Sequence, residues 1–364
     1  MGKKHNNRSR ADILSGGENR IQAKSTSAWS HGTVSPSLPG KSVIFKWVRV
    51  LAFIIVVILS INTVETLLYP IEYNTKIWRS FYHLEPQTVD ILIVGNSHAY
   101  CSFDTDMIEA ATGKKTCLLA TASQTVTMAY YNVLEALKYQ SPETIILEAF
   151  AINSSDNLRE EGDGDLSWKK VTNIDGMHFG PAKLQAIMGQ YYPENWGYGL
   201  LPIARCHVNW STPQQISENI AFYNTGIKTF KAFVSLPTSM SEETMRQYMV
   251  AEYNPNEISI SEANIRHFHK LAALCRERGI TLQVVMAPSY DVYIDSINYN
   301  SKKEKISQLA KSEGVSYLDC NERYNEIGMT AQDFEDLYAP HHHLNPSGAN
   351  KVTQFILKEL YGVE

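Results

Sequence analysis

Residues 89–98 read Val-Asp-Ile-Leu-Ile-Val-Gly-Asn-Ser-His. A short apolar run ends in glycine, and a serine follows two positions later. A buried strand that stops at Gly95 presents Ser97 at the carboxyl edge of a sheet, the edge at which open α/β sheets bind ligands. A serine there becomes a nucleophile only when a base takes its proton, so a histidine has to reach it.

Residues 341–349 read His-His-His-Leu-Asn-Pro-Ser-Gly-Ala. Asn345 before Pro346 is a helix start, with asparagine as cap and proline at the first helical position. His343 is then a loop residue two before the cap. The helix that follows has Val352, Phe355, Ile356 and Leu360 as its apolar stripe. Packed on the sheet, it holds the histidine loop near the sheet edge. A neutral imidazole there serves first as general base and then as general acid. The alternatives are a solvated histidine run or a fortuitous metal-binding loop. Consecutive loop histidines rarely all reach one ion, so no metal site is expected.

Between these segments, apolar runs alternate with amphipathic stretches. Strands are expected at 90–94, 116–119, 144–147, 281–286 and 315–318, and helices at 105–112, 127–140, 262–278, 303–312 and 346–360. Ser261 caps the helix at 262–278 and Gly279 stands just past its end. This alternation predicts a parallel sheet covered on both faces. Residues 151–260 break the rhythm with Trp168, Trp196, Trp210 and several tyrosines among Gly and Pro. They read as an irregular insertion with its own small core, or as a lid whose rings stack on sugars.

The net charge of −5 gives no sign of nucleic-acid binding. Residues 1–49, however, carry nine Lys or Arg against Asp12 and Glu18. Residues 1–42 are polar and basic with few apolar side chains, the composition of a disordered arm. The segment 43–68 is apolar and long enough to cross a bilayer, with Lys46 and Arg49 snorkelling at one end and Trp47 and Tyr69 at the two interfaces. The basic arm predicts a single-pass anchor with a cytoplasmic N-terminus and an extracytoplasmic domain over 88–364. The five cysteines have no metal-type spacing and form no disulfide framework.

Taken together, these blocks resemble the SGNH (GDSL-type) hydrolase superfamily, in particular its membrane-anchored cell-envelope branch. Gly95-Asn96-Ser97-His98 resembles the nucleophile block, with Asn96 where aspartate is usual. His343-Leu344-Asn345, followed by Ser347-Gly348-Ala349, resembles the catalytic-histidine block. Leu118 to Gln124 occupies the place of the block that supplies a second oxyanion donor. The resemblance covers residues 88–150 and 262–362. It implies a flavodoxin-like three-layer α/β/α sandwich and an acyl-serine intermediate on Ser97, with His343 as base and no cofactor.

Ala120 stands where that family has glycine, and its backbone N–H is the expected oxyanion donor, with the Gln124 amide as another. Glu148 follows the third strand where the family places asparagine, and is expected to orient a loop or bind substrate. Three positions before His343 the family has aspartate, and here there is Pro340. Asp336 is the nearest acid, with Asp333 and Glu335 behind it, and is the expected partner of the ring; failing Asp336, a backbone carbonyl holds the imidazole of a Ser–His dyad. His341 and His342 stay open as alternative bases. The resemblance implies an esterase or O-acyltransferase at the membrane, acting on an envelope glycan or related acylated carbohydrate, with a membrane-bound acyl-donor protein as a further partner. The competing reading is a non-catalytic SGNH-like glycan-binding or scaffold protein.

Overall fold

The computed structural model describes residues 41–152, 172–191, 193–225, 232–243, 246–247, 260–290, 299–337 and 342–363. The basic arm, Trp168 and His341 lie outside the described residues. The chain divides into two compact units, Met1–Val56 and Val57–Glu364.

Lys41–Leu68 is one helix. Its segment Val43–Leu68 has a mean hydropathy of 2.5 and is long and apolar enough to cross a membrane. At about 1.5 Å per residue it is roughly 39 Å long, beyond the ~30 Å of a hydrocarbon core.

The second unit is built on five parallel strands: β1 Ile91–Gly95, β2 Thr116–Ala120, β3 Thr144–Glu148, β4 Thr281–Met286 and β5 Ser316–Asp319. Their order is β2-β1-β3-β4-β5. This is the doubly wound flavodoxin-like order, with its switch point between β1 and β3. Every residue of β1 is buried. That is why the strand reads as a continuous apolar run rather than an alternating one. Helices Val126–Ala136, Glu262–Arg278 and Tyr299–Ser312 are among those that pack on the sheet, and Pro346–Tyr361 packs on Thr105–Thr112 and on the short helix that follows β1. Ser261 Oγ accepts from Asn264 N, and Gly279 ends its helix in the left-handed conformation (φ 68°). The strands match the sequence expectation to within one residue at each end.

Two helices escape the sequence reading. Tyr73–Tyr82 lies in what reads as a connector. Ser97–Ser102 is only six residues long, too short for a periodic signal. The described insertion is a series of short helices, including Pro181–Gln190, Ile203–Cys206 and Pro213–Thr225. Ile174, Ala186, Ile187 and Tyr191 form a small core there with Met128 and Tyr131.

The insertion also secures the last turn of the apolar helix. Asn219 Nδ2 donates to the carbonyls of Leu67 (2.8 Å) and Tyr69 (2.7 Å), and Asn209 Nδ2 donates to that of Leu68 (3.0 Å). These side chains satisfy carbonyls that a helix end leaves without intrahelical partners. Tyr69 differs from the expectation of a lipid-interface aromatic. Its hydroxyl donates to Asp175 and accepts from Arg205 Nη1 at 3.1 Å.

Candidate active site

Ser97 stands at the carboxyl end of β1, as the first residue of a helix capped by Asn96, whose Oδ1 accepts from His98 N at 3.0 Å. The turn into this helix demands Gly95. Its φ is +154°, and a Cβ there would lie 2.7 Å from Glu148 Cβ and 3.1 Å from Ala99 Cβ. The Ser97 hydroxyl makes no hydrogen bond among the described residues, and the residue is only partly buried. A serine that lines a cavity from a tight strand-to-helix turn is available to attack a bound carbonyl.

His343 arrives from the other end of the chain. Asn345 caps Pro346–Tyr361, its Oδ1 accepting from Ser347 N and Gly348 N. Phe334 and Leu344 pair as an isolated antiparallel bridge. Glu335 N donates to His343 O (3.1 Å), and Asn345 N donates to Asp333 O (3.0 Å). This pairing sets the Glu335 carboxylate against the imidazole, with Oε1 3.4 Å from His343 Nδ1. Glu335 is fully buried and His343 nearly so, with 14% of its side chain exposed. The Glu335–Nδ1 contact favours the tautomer that leaves Nε2 as the acceptor nitrogen. Nε2 is buried and has no hydrogen-bond partner among the described residues.

Asp336, the acid expected behind His343, is exposed, and its backbone N–H donates to Thr238 Oγ1. The chain reverses at the Phe334–Leu344 bridge, which turns Glu335 inward and leaves the next residue outward. Pro340 lies outside the described residues.

Ser97 and His343 line one cavity of about 910 Å³. Tyr100, Cys101, Ala122 and Ser123 also face it, as do Val234 and Leu236 of the insertion. The insertion is therefore part of the site. Among the described residues, the aromatic rings on the cavity wall are those of Tyr69, Tyr73 and Tyr100, beside the imidazole of His343. Trp210 is largely exposed. No hydrogen bond joins Ser97 to His343 among the described residues; catalytic hydrogen bonds are often long before substrate binds.

The expected oxyanion donors are placed differently. Ala120 is fully buried at the end of β2, opposite Gly95, and does not line the cavity. Gln124 is fully buried and its amide is committed. Oε1 accepts from Gly95 N (3.1 Å), and Nε2 donates to Leu119 O (3.2 Å) and Thr121 Oγ1 (2.9 Å). Gln124 thus ties the ends of β1 and β2 together beneath the serine and has no donor to offer a substrate. The residues that reach the cavity are Ala122 and Ser123, and Ser123 adopts a left-handed backbone (φ 54°). Serine carries no signal for that conformation, which explains why this turn is not legible in the sequence.

Glu148 ends β3 on the other side of the switch point. Its Oε2 accepts from Phe150 N (3.0 Å) and its Oε1 from Ala287 N (3.4 Å). Burial pushes its carboxyl up to about 8, against the opposite pull of these N–H groups and of Lys302. Glu148 orients the loops after β3 and β4 and does not line the cavity.

One more histidine converges here. His98 is 1% exposed and its ring stacks on Phe150, with centroids 3.8 Å apart. On its other contacts lie His342 (4.5 Å) and His343 (5.2 Å). Burial, then the two neighbouring imidazoles and Lys302, hold His98 well below the ordinary histidine range. The third ring of this cluster comes from beside the serine rather than from the histidine run.

No family model matches the sequence, and no curated protein matches it either. Solved structures similar to the chain include one described as an acylhydrolase from Bacteroides fragilis. It is 8% identical with a TM-score of 0.35, covering 79% of this chain and 94% of that one. Another is a GDSL-like lipase from Bacteroides thetaiotaomicron, 8% identical with a TM-score of 0.34, covering 80% and 99%.

Proposed function

We propose that this chain is a serine-dependent acyl-ester hydrolase or O-acyltransferase working at a membrane. The observation that carries the reading is the ordered set Glu335, His343 and Ser97. A buried carboxylate lies against Nδ1, Nε2 is buried and has no hydrogen-bond partner among the described residues, and His343 and the partly buried Ser97 line one cavity.

In the first half-reaction Ser97 Oγ attacks the ester carbonyl carbon while His343 Nε2 takes the Oγ proton. The backbone N–H of Ser97 and the turn at Ser123 are the groups placed to meet the developing oxyanion. The tetrahedral intermediate collapses, the bond to the leaving alcohol breaks, and His343 returns the proton to that alcohol. In the second half, water or a glycan hydroxyl attacks the acyl carbon, Nε2 takes its proton, and Ser97 Oγ leaves with it.

Tyr69 and Pro70 directly follow the apolar helix and line the same cavity. This supports an acyl substrate met at the membrane surface, with an envelope glycan or related acylated carbohydrate as partner. The basic arm before the helix supports a cytoplasmic N-terminus and an outer catalytic domain. The absent aspartate that favours a non-catalytic scaffold in the sequence has a counterpart in Glu335. Hydrolysis of an aryl acetate by full-length protein in detergent tests the reading. Activity should be lost in Ser97→Ala, and wild-type activity in that variant would refute it.

A further inference from the structure

The three imidazoles beside Ser97 do more than frame a base. One nitrogen each of His98, His342 and His343 lie within 4.8 Å of one another. They are contributed by two distant segments, one immediately after the serine and the other before the final helix. Two of these residues carry a buried nitrogen without a hydrogen-bond partner among the described residues, Nε2 of His98 and Nε2 of His343. A buried polar atom left unsatisfied is costly and calls for a partner. Such atoms in two of three adjoining rings point to a shared one.

The chemistry of the set is specific. Three neutral nitrogens with no carboxylate or thiolate among them suit a borderline transition ion rather than Ca²⁺ or Mg²⁺. Three histidines with an open fourth position form a common zinc arrangement. Around such an ion the nitrogens stand about 3.4 Å apart, so the rings need to close by about 1 Å or slightly more. Glu335 against Nδ1 of His343 is the carboxylate that zinc-binding histidines characteristically engage through their other nitrogen. Cys101 faces the cavity as well, but its sulfur is not among the ligand atoms that converge here. We propose that His98, His342 and His343 form a binding site for a zinc-type divalent ion, whose occupancy removes His343 Nε2 from Ser97 and switches the serine off. The switching half rests on the hydrolase reading above, whereas the binding half stands on the histidines alone.

The test uses full-length protein in detergent, first stripped with a chelator. Zn²⁺ binding is measured by competition with a chromophoric indicator, and the ligand set is read from the absorption of the Co²⁺ form. One tight site should appear in the wild type, with a cobalt spectrum lacking thiolate charge transfer. His98→Phe keeps a ring against Phe150, and His342→Phe is a second, independent variant. Each should weaken binding by about tenfold or more while leaving the unfolding temperature within a few degrees. Unchanged Zn²⁺ affinity in both folded variants overturns the proposal, as does a thiolate signature.

Fluorophosphonate labelling is run in parallel, as the ratio of rates with and without Zn²⁺. Strong suppression in the wild type, absent in His98→Phe, supports the switch. Undiminished labelling of the zinc-loaded wild type overturns it. If metal-free protein never labels, the hydrolase reading and the switch both fall, and the titration alone decides the metal site.

Discussion

Glu335 and His343 are eight positions apart in sequence, and yet Glu335 Oε1 sits 3.4 Å from His343 Nδ1. The Phe334–Leu344 bridge brings them together, and the Asn345 cap holds the register from below. Asn345 Nδ2 also donates to Gln332 O (2.6 Å) and Thr238 O (3.1 Å), which locks the loop to the insertion. The Glu335 carboxylate and the His343 imidazole are therefore brought together by one bridge, and Ser97 comes from the opposite end of the domain.

Replacing Glu335 by Gln keeps the shape and removes the charge behind the ring. Loss of the orienting carboxylate in a serine–histidine site costs on the order of 10²–10⁴ in rate. Glu335→Gln is expected to lower the turnover of an aryl ester by that order with little change in KM. Asp336→Asn, at an exposed position, should stay within about twofold of wild type. Steady-state kinetics on the two purified variants checks both.

Gln124 is expected to be structural in a way that reaches the serine. Gln124→Leu leaves the Gly95 N–H and the Leu119 carbonyl without their side-chain partner. Orphaned buried groups cost about 1–3 kcal/mol each. Denaturant unfolding should show a loss of at least that size, together with slower labelling of Ser97.

Gly95→Ala places a methyl group 2.7 Å from Glu148 Cβ at a backbone φ of +154°. Neither β1 nor β3 can retreat without breaking the central pairing. The variant is expected to lose more than about 2 kcal/mol or to fail to accumulate as folded protein, as overpacked cores and forced conformations do. Far-UV circular dichroism and a urea titration give the answer.

Asp333 supplies a pH prediction. Burial pushes its carboxyl up, but hydrogen bonds from Lys351, Ser347 and Thr330 outweigh that and hold it below the ordinary value of 3.8. A carboxyl lowered in the folded state contributes stability above its unfolded pKa and loses it as pH falls through the folded one. Asp333→Asn should therefore be less stable than wild type at pH 7, with the gap shrinking steadily below about pH 4. Thermal melts across that range check the slope.

Much of this was legible from residues alone, for physical reasons. The strands of a doubly covered sheet are uninterrupted apolar runs, so Ile91 to Gly95 announces itself. Asn345 before Pro346 marks a helix start by cap chemistry. Glu335 was not singled out because an isolated two-residue bridge leaves no period in the sequence, and the eye falls on the nearer acid, Asp336. Gln124 is buried and Ser123 reaches the cavity on a left-handed backbone, a conformation that a serine does not announce. The contact of His98 with the histidine loop is a tertiary fact that no local pattern carries.

The central claim is that Ser97 is a nucleophile served by His343. The most direct measurement is fluorophosphonate labelling of chelator-treated full-length protein, followed by mass spectrometric mapping of the modified peptide. A single phosphonyl adduct on Ser97 is expected, absent in Ser97→Ala and slowed by about 10² or more in His343→Ala. An unlabelled wild-type protein, or an adduct that persists on another residue in Ser97→Ala, would contradict it.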